Sequence, residues 1–310
     1  MELAEGAEAP LLALLEALAS ARYRFITPTP ATHARVISRG GRETARDLRD
    51  VFGWSLPFAQ DVLPPAMFDQ LEEAGAITRQ GSLFKSKLRV SSIGAHLFLH
   101  SAYPTEAEDA VFFGPDTYRF VDFLAAERPC RTGRLVDQGT GAGVGGIMAA
   151  LLAPAIKVTL LDINPAALRL ASINARHAGI DAELVQGSAL DAVAGDIDCV
   201  IANPPYIMDE GARTYRDGGG MHGAQISFDW TMAAARRVRP GGSMLLYTGV
   251  AIVDGHDELK EALERELAGS GCTLRYRELD PDVFGEELEE PAYADVERIA
   301  IIGAVVQREG

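Results

Sequence analysis

The sequence predicts a doubly wound α/β sheet of seven strands, preceded by a smaller, mainly helical domain. Three observations predict it: short apolar strands alternate with helical patterns from residue 134 onward, a glycine-rich loop follows the first of those strands, and the first hundred residues lack that alternation. At 310 residues, 47% of them hydrophobic, the chain can bury more than one core. The boundary falls near residue 107, giving a first domain of 1–107, read as a substrate- or partner-recognition domain, and a second of 108–310.

In the first domain, PLLALLEALASARYRF sets Leu11, Leu14, Leu15 and Leu18 at helical spacing, and the Thr27 to Pro30 break ends that amphipathic helix. Three short helices are predicted over 31–38, 44–52 and 65–74, the last stopped by Gly75. In SLFKSKLRVSS, Phe84, Leu88 and Val90 alternate with Lys85, Lys87 and Arg89, the pattern of one half-buried strand with its cations in solvent. Short helices followed by such a hairpin resemble a winged helix. The basic stretch from Arg79 to Arg89 would then be a wing that touches RNA or an acidic partner, or more simply a solvated face whose cations protect a sheet edge.

Strands of the second domain are predicted at 134–137, 157–162, 182–186, 198–202, 243–248, 273–278 and 297–306. Between the second and third lies a helix over 164–177, with Asn164 as N-cap and Pro165 at the first helical position. Ligands of such sheets bind beyond the carboxyl ends of the strands where the strand order reverses, so the loops after strands one, two and four should hold the chemistry.

Composition narrows the function. A net charge of −15 repels phosphate backbones and disfavours long duplex substrates. Residues 1–110 hold 11 basic and 14 acidic side chains, so that segment carries only −3 and the remainder −12. Cys130, Cys199 and Cys272 are far apart and without CxxC spacing, which predicts neither disulfides nor a zinc site. His96 and His100 lie in a stretch read as extended, where a spacing of four builds no metal site, so no metal is expected. No apolar run approaches the roughly 20 residues of a membrane span, and the start MELAEGAEAP is acidic; a cytoplasmic protein is expected.

After the first strand comes LVDQGTGAGVGG, where Asp137 precedes Gly139, Thr140, Gly141 and Gly143. Glycines here let the chain turn sharply and approach a ligand closely. The stretch also contains GxGxxG at Gly141, Gly143 and Gly146, so a dinucleotide site competes with an S-adenosylmethionine site. Asp162, at the end of the second strand and followed by Ile163, can accept both ribose hydroxyls of either ligand. Asp137 tilts the choice, because a carboxylate beside the loop attracts a sulfonium and an amino group and repels a pyrophosphate. Ser188 and Ala189, after the third strand, are placed at the adenine edge.

The fourth strand, DCVIANPPYI, runs into Asn203, Pro204, Pro205 and Tyr206, which is poor strand chemistry. The Asn203 side-chain oxygen and the Pro204 carbonyl can each accept one N–H of an NH2 group, while Tyr206 stacks on the flat group that carries it and Pro205 lines the pocket. Such a clamp aims a nitrogen lone pair without a strong base.

These residues resemble the class I methyltransferases of the NPPY group, and most nearly the release-factor glutamine methyltransferases, over residues 108 to 250. The resemblance implies a Rossmann-like class I fold, S-adenosyl-L-methionine as cofactor, and an amide or amine nitrogen as acceptor, with an exocyclic amine of RNA or a nucleotide-like small molecule as the alternative. It extends to VFFGPDTYRFVDFL, where Pro115, Asp116 and Thr117 match the segment before the first strand, but Gly114 replaces the family's Arg and Tyr118 its Glu. Thr117 would then help bind the methionine end of the cofactor, while Gly139, Gly141 and Asp162 match cofactor residues and Asn203, Pro204 and Tyr206 the substrate clamp. Beyond NPPY the chain departs to RTYRDGGGMHGAQIS, in which Gly218 to Gly220 suggest a mobile loop and Arg216, Asp217 and His222 are candidate substrate contacts. The acidic run from Glu278 to Glu290 reads as a solvated loop. Competing functions are a cofactor-sensing binding protein and a nicotinamide-dependent oxidoreductase; oligomeric state stays open.

Overall fold

In the computed structural model the described residues are 3–105, 107–208 and 217–310. They form two units, one of 1–119 with 141–144 and 164–181, the other of 120–140, 145–163 and 182–310.

In the first unit, helix α1 (Glu8–Ser20) buries Leu11, Leu14, Leu15 and Leu18, the stripe its spacing predicts. Helix α2 (Pro30–Ile37) begins at the expected break, where the Thr29 side chain caps it by accepting from the Thr32 N–H. Helices α3 (Leu48–Phe52) and α4 (Pro65–Glu73) follow. The predicted single strand is two: β2 (Leu83–Ser86) pairs with β1 (Ile77–Gln80), and β3 (Leu88–Ile93) pairs with β4 (His96–Ser101). Because the chain changes partner at Lys87, the alternation does not carry through, and Arg89 is 4% exposed where a solvated cation was expected. The same unit contains α7 (Pro165–His177), whose N-cap is Asn164, its side chain accepting from the Ala166 N–H. Asn174 on α7 is fully buried and bonds the free backbone edge of β4: it accepts from the Leu99 N–H at 2.8 Å and donates to the Leu99 and Ala142 carbonyls at 3.0 and 2.8 Å.

The second unit is built on strands β5 (Gly133–Gln138), β6 (Ile156–Asp162), β7 (Ala182–Gln186), β8 (Cys199–Ala202), β9 (Ser243–Val253), β11 (Cys272–Val283) and β12 (Arg298–Arg308), with β10 (His256–Asp257) as a short pair to β9. Their order is β11-β12-β9-β8-β5-β6-β7. The pairs from β9 to β7 are parallel and β12 is antiparallel to both its neighbours. All seven strands predicted from the sequence are present. Helices α5 (Pro115–Glu127), α6 (Val144–Leu152), α8 (Gln225–Arg237) and α9 (Glu258–Leu267) complete the chain. The chain runs outward from β5 to β7 and then returns to place β8 on the other side of β5, so the strand order reverses between β5 and β8. Among the described residues no helix is long and apolar enough to cross a membrane.

Truncating Asn174 leaves the Leu99 N–H and two carbonyls buried without partners. Asn174→Ala is therefore expected to destabilise the protein by about 3 kcal/mol, read as a lower urea midpoint with an unchanged slope.

Candidate active site

At the switch point Gln138 lies opposite Ala202, so Gly139 and Asn203 leave neighbouring strands side by side. The loop after β5 is tied by two sets of bonds. The Gly139 and Thr140 N–H groups both donate to the Leu161 carbonyl, at 2.9 and 3.0 Å. The Thr140 hydroxyl and the Gly146 N–H both donate to Asp137 Oδ2, at 2.6 and 2.8 Å. Asp137 is 2% exposed, and burial pushes its carboxyl up to about 6, with the charge of Asp162 adding to the shift. The carboxylate expected to face a ligand thus also serves as the internal fastener of the glycine turn. Gly139 has φ +69°, and a Cβ there would meet the Trp230 ring at 2.7 Å, so the turn needs a residue without a side chain.

Asp162 closes β6 half-buried, and the Gly187 N–H donates to its carbonyl at 3.0 Å. Ile163 is 51% exposed, one of the few large apolar side chains left open in the unit. Ser188 and Ala189 follow β7, both exposed. Thr117 and Gly141 belong to the first unit. Thr117 Oγ1 accepts from the Gly114 N–H at 3.3 Å at the start of α5, and the Phe112 ring fills the place a Gly114 Cβ would take, a local reason for glycine there.

Asn203 is half-buried, yet its Oδ1 is buried and accepts no hydrogen bond from the described residues. Pro204 is buried and Pro205 half-buried. Tyr206 is 9% exposed, its ring set against the backbone of Gly249 and edge-on to Phe284 at 5.9 Å. Of the glycines read as a mobile loop, Gly218 is buried against backbone, while Gly219 and Gly220 are exposed. Gly218 donates to the Ile207 carbonyl at 2.8 Å, and a Cβ on Gly218 or Gly223 would strike backbone. Asp217 is spent on the turn, accepting from the Gly219 N–H at 3.1 Å. His222 takes a left-handed backbone (φ 48°), its Nε2 is 3.3 Å from Asp295 Oδ1, and it borders a cavity of about 240 Å³ that Glu258 and Glu261 also line. Arg216 lies outside the described residues.

Sequence reasoning missed three participants. Trp230 closes over Gly139, Tyr293 stands in no motif but its hydroxyl accepts from the Met208 N–H at 2.8 Å, and Gln138 is 1% exposed with neither amide atom bonded among the described residues. Only the last carried a signal, a polar residue at the end of a buried strand.

A glycine turn closed from behind, a buried carboxylate beside it, an acidic strand end with an open apolar neighbour, and an unsatisfied amide oxygen suit a cationic adenosyl ligand and a donor-bearing acceptor. Residues 116–265 match the methyltransferase small domain. The matched segment is just under half of the chain. The release factor glutamine methyltransferase of Deinococcus radiodurans is 30% identical over 164 residues, 50% of this chain and 55% of that protein. The ribosomal RNA small subunit methyltransferase C of Ectopseudomonas mendocina is 32% identical over 114 residues, 37% of this chain and 31% of that protein. The chain thus spans about half the length of the first relative and less of the second. A transferase structure from Pyrococcus horikoshii shares the fold, with a TM-score of 0.52 and 11% identity over 79% of this chain and 82% of that one.

Within the matched segment Gly249 is the floor beneath Tyr206, and a methyl group there would overlap the ring. Gly249→Ala is expected to displace Tyr206 and cost about 1–3 kcal/mol of stability, measured by urea unfolding.

Proposed function

We propose that this chain is an N-methyltransferase that moves a methyl group from S-adenosylmethionine to a planar amide or amine nitrogen, with a protein glutamine as the favoured acceptor. The observation that carries the reading is the buried Asn203 Oδ1 at the head of Asn-Pro-Pro-Tyr, unpartnered among the described residues. A buried acceptor left unmet costs about 1–3 kcal/mol, a cost that an incoming N–H removes. Tight, oriented capture of an NH2 group is the corresponding chemistry.

The bound cofactor supplies an electrophilic methyl on its sulfonium. Asp162 would accept from the ribose hydroxyls, with Ile163 and the Ser188–Ala189 turn beside the adenine. Asp137, with Gly139, Thr140, Gly141 and Thr117, would hold the methionine end. Asn203 Oδ1 and the Pro204 carbonyl would each accept one N–H of the acceptor, which turns the nitrogen lone pair toward the methyl; Pro205, Tyr206 and His222 would bound the acceptor's pocket, with Arg216 a further candidate contact. No group in this clamp is a strong base, so the proton leaves the methylated nitrogen for solvent after transfer. The gain comes from orientation and fixed dipoles. Residues 1–107 would recognise the substrate or a partner.

The protein reading is supported by the net charge of −15 and by the release-factor relative. An exocyclic amine of RNA is the second reading, favoured by the relative that modifies ribosomal RNA and by the cations gathered in the first unit.

The deciding measurement is label transfer from methyl-labelled S-adenosylmethionine to a lysate of cells lacking the protein, followed by protease or ribonuclease. Label freed only by protease supports the amide acceptor, and label freed only by ribonuclease replaces it with RNA. In the same assay Asn203→Ala is expected to lower turnover about a hundredfold while S-adenosylhomocysteine affinity stays within about twofold. Full turnover in that variant would remove the proposed clamp.

Below about pH 6 Asp137 takes up a proton and its attraction for a cation is lost. Affinity for S-adenosylmethionine is therefore expected to rise with pH through that value, and to be flat in Asp137→Asn, as followed by calorimetry at several pH values.

A further inference from the structure

The cavity that His222 borders holds about 240 Å³. Sites for drug-sized ligands run from roughly 300 to 1,000 Å³, so this one has room for a single side chain rather than a nucleotide. Its walls are three pieces of the second unit: the Met221–His222 turn, the end of β9 with its hairpin to β10, and the first turn of α9. Met221 and His222 both have left-handed backbones, φ 54° and 48°, which residues with large side chains rarely adopt. Val253 and His256 pair across Asp254 and Gly255, both also at positive φ, as a tight hairpin turn requires. Asp257 then caps α9 by accepting from the Lys260 N–H at 3.0 Å, and Glu258 and Glu261 of the capped turn stand at the cavity.

The lining divides by chemistry. Val250, Ala251, Val253 and Leu259 form an apolar wall, of which Val250 and Leu259 belong to the buried core. Glu258, Glu261, His222 and His256 are the polar part, and among the described residues no lysine or arginine lines the cavity. His256 Nδ1 lies 2.9 Å from Glu261 Oε1. His222 reaches Asp295 Oδ1 at 3.3 Å through Nε2 and lies 4.0 Å from Glu258 Oε2 through Nδ1. A neutral imidazole N–H orients a carboxylate and leaves its charge in place. The first turn of any helix favours acids; these two also face an apolar wall. Phosphate and carboxylate are repelled by such a lining, whereas an alkyl stem that ends in a cation finds a surface for its methylenes and a counterion for its head.

The cavity adjoins the Asn-Pro-Pro-Tyr turn. Gly223, next to His222, is pressed so closely on the Tyr206 carbonyl that a Cβ would overlap its oxygen, and Val250 follows Gly249, the floor beneath Tyr206. Phe284, edge-on to the same ring, lies in the run from Glu278 to Glu290, which has seven carboxylates and no base. Arg298 pairs with Glu278 at 2.9 Å. The surroundings of Tyr206 are thus acidic on two elements, α9 and the end of β11 with the turn after it.

We propose that this cavity is a specificity subsite for a lysine or arginine side chain that a protein substrate carries beside the methylated residue, with Glu258 and Glu261 holding the cation. Its place in the reaction rests on the reading of Asn203 as the acceptor clamp.

The test uses the full chain. The imidazole NMR signals of His222 and His256 are followed at fixed pH while Nα-acetyl-lysine amide, Nα-acetyl-norleucine amide or Nα-acetyl-glutamate amide is added. The lysine compound alone is expected to shift them saturably. Its dissociation constant should be at least about fivefold larger in Glu258→Gln/Glu261→Gln and unchanged in Glu264→Gln, an acid of the same helix that does not line the cavity. In the label-transfer assay the double variant is expected to label protein at least about fivefold more slowly, with S-adenosylhomocysteine affinity unchanged. Norleucine or glutamate compound bound as tightly as lysine, no saturable shift with any of the three, an equal loss in Glu264→Gln, wild-type transfer by the double variant, or label that enters RNA alone would each overturn the proposal. The binding arm needs neither cofactor nor turnover, so failure of the clamp, seen as full turnover in Asn203→Ala, is distinct from failure of this site.

Discussion

The parallel pairing of β5 with β8 is the constraint on which the rest depends. It sets Gln138 opposite Ala202, and so places the glycine turn and the Asn-Pro-Pro-Tyr turn next to each other although they are distant in sequence. A parallel pair requires a crossover, and here the crossover carries β6 and β7 outward before the chain returns, which opens the crevice at the reversal. The glycine turn, Asp162 and Asn203 all sit on or beside loops leaving that edge. The strands behind them are closed: Val136, Val200, Ala202 and Leu246 lie in one apolar cluster, which fixes where the loops begin.

Within the crevice the polar groups divide into those already satisfied and those left open. Asp137 is satisfied, accepting from Thr140 and Gly146, and its cost of burial is repaid by the shape it gives the turn. Ser227 and Thr248, both buried, bond each other at 2.7 Å. Asn203 Oδ1 is open. Buried polar atoms are nearly always paired, so an open one at the end of a strand is informative in a way that a satisfied one is not. The same argument applied to the first unit singles out His33, Arg42 and Arg89, where the open atoms are a ring nitrogen and two guanidinium nitrogens.

Much of this could be read from residues alone. Helix α7 announced itself by its Asn164 cap and Pro165, and the seven strands by apolar runs between turn signals, because those patterns report local periodicity and capping, which a chain carries in its own neighbours. The glycines after β5 were legible for the same reason: a positive φ is a local demand. The strand over 83–93 was misread because alternation shows which residues share a face but not when the chain changes partner; at Lys87 it does, and Arg89 turns inward. Gly218 to Gly220 suggested looseness, but a glycine serves equally where two backbones touch, and at Gly218 the close approach of the Tyr206 and Gly223 backbone is the reason for it.

By itself, then, the sequence determined the α/β class, the order of its strands and helices along the chain, the glycine turn with its acidic neighbours and the Asn-Pro-Pro-Tyr turn, since each rests on residues close together in the chain. Tertiary structure alone decided which polar atoms end up buried and unmet among the described residues, that Trp230 backs Gly139, and that Asp137 fastens the turn it precedes. Burial and charge are summed over every neighbour in space, and most of those neighbours are far away in sequence.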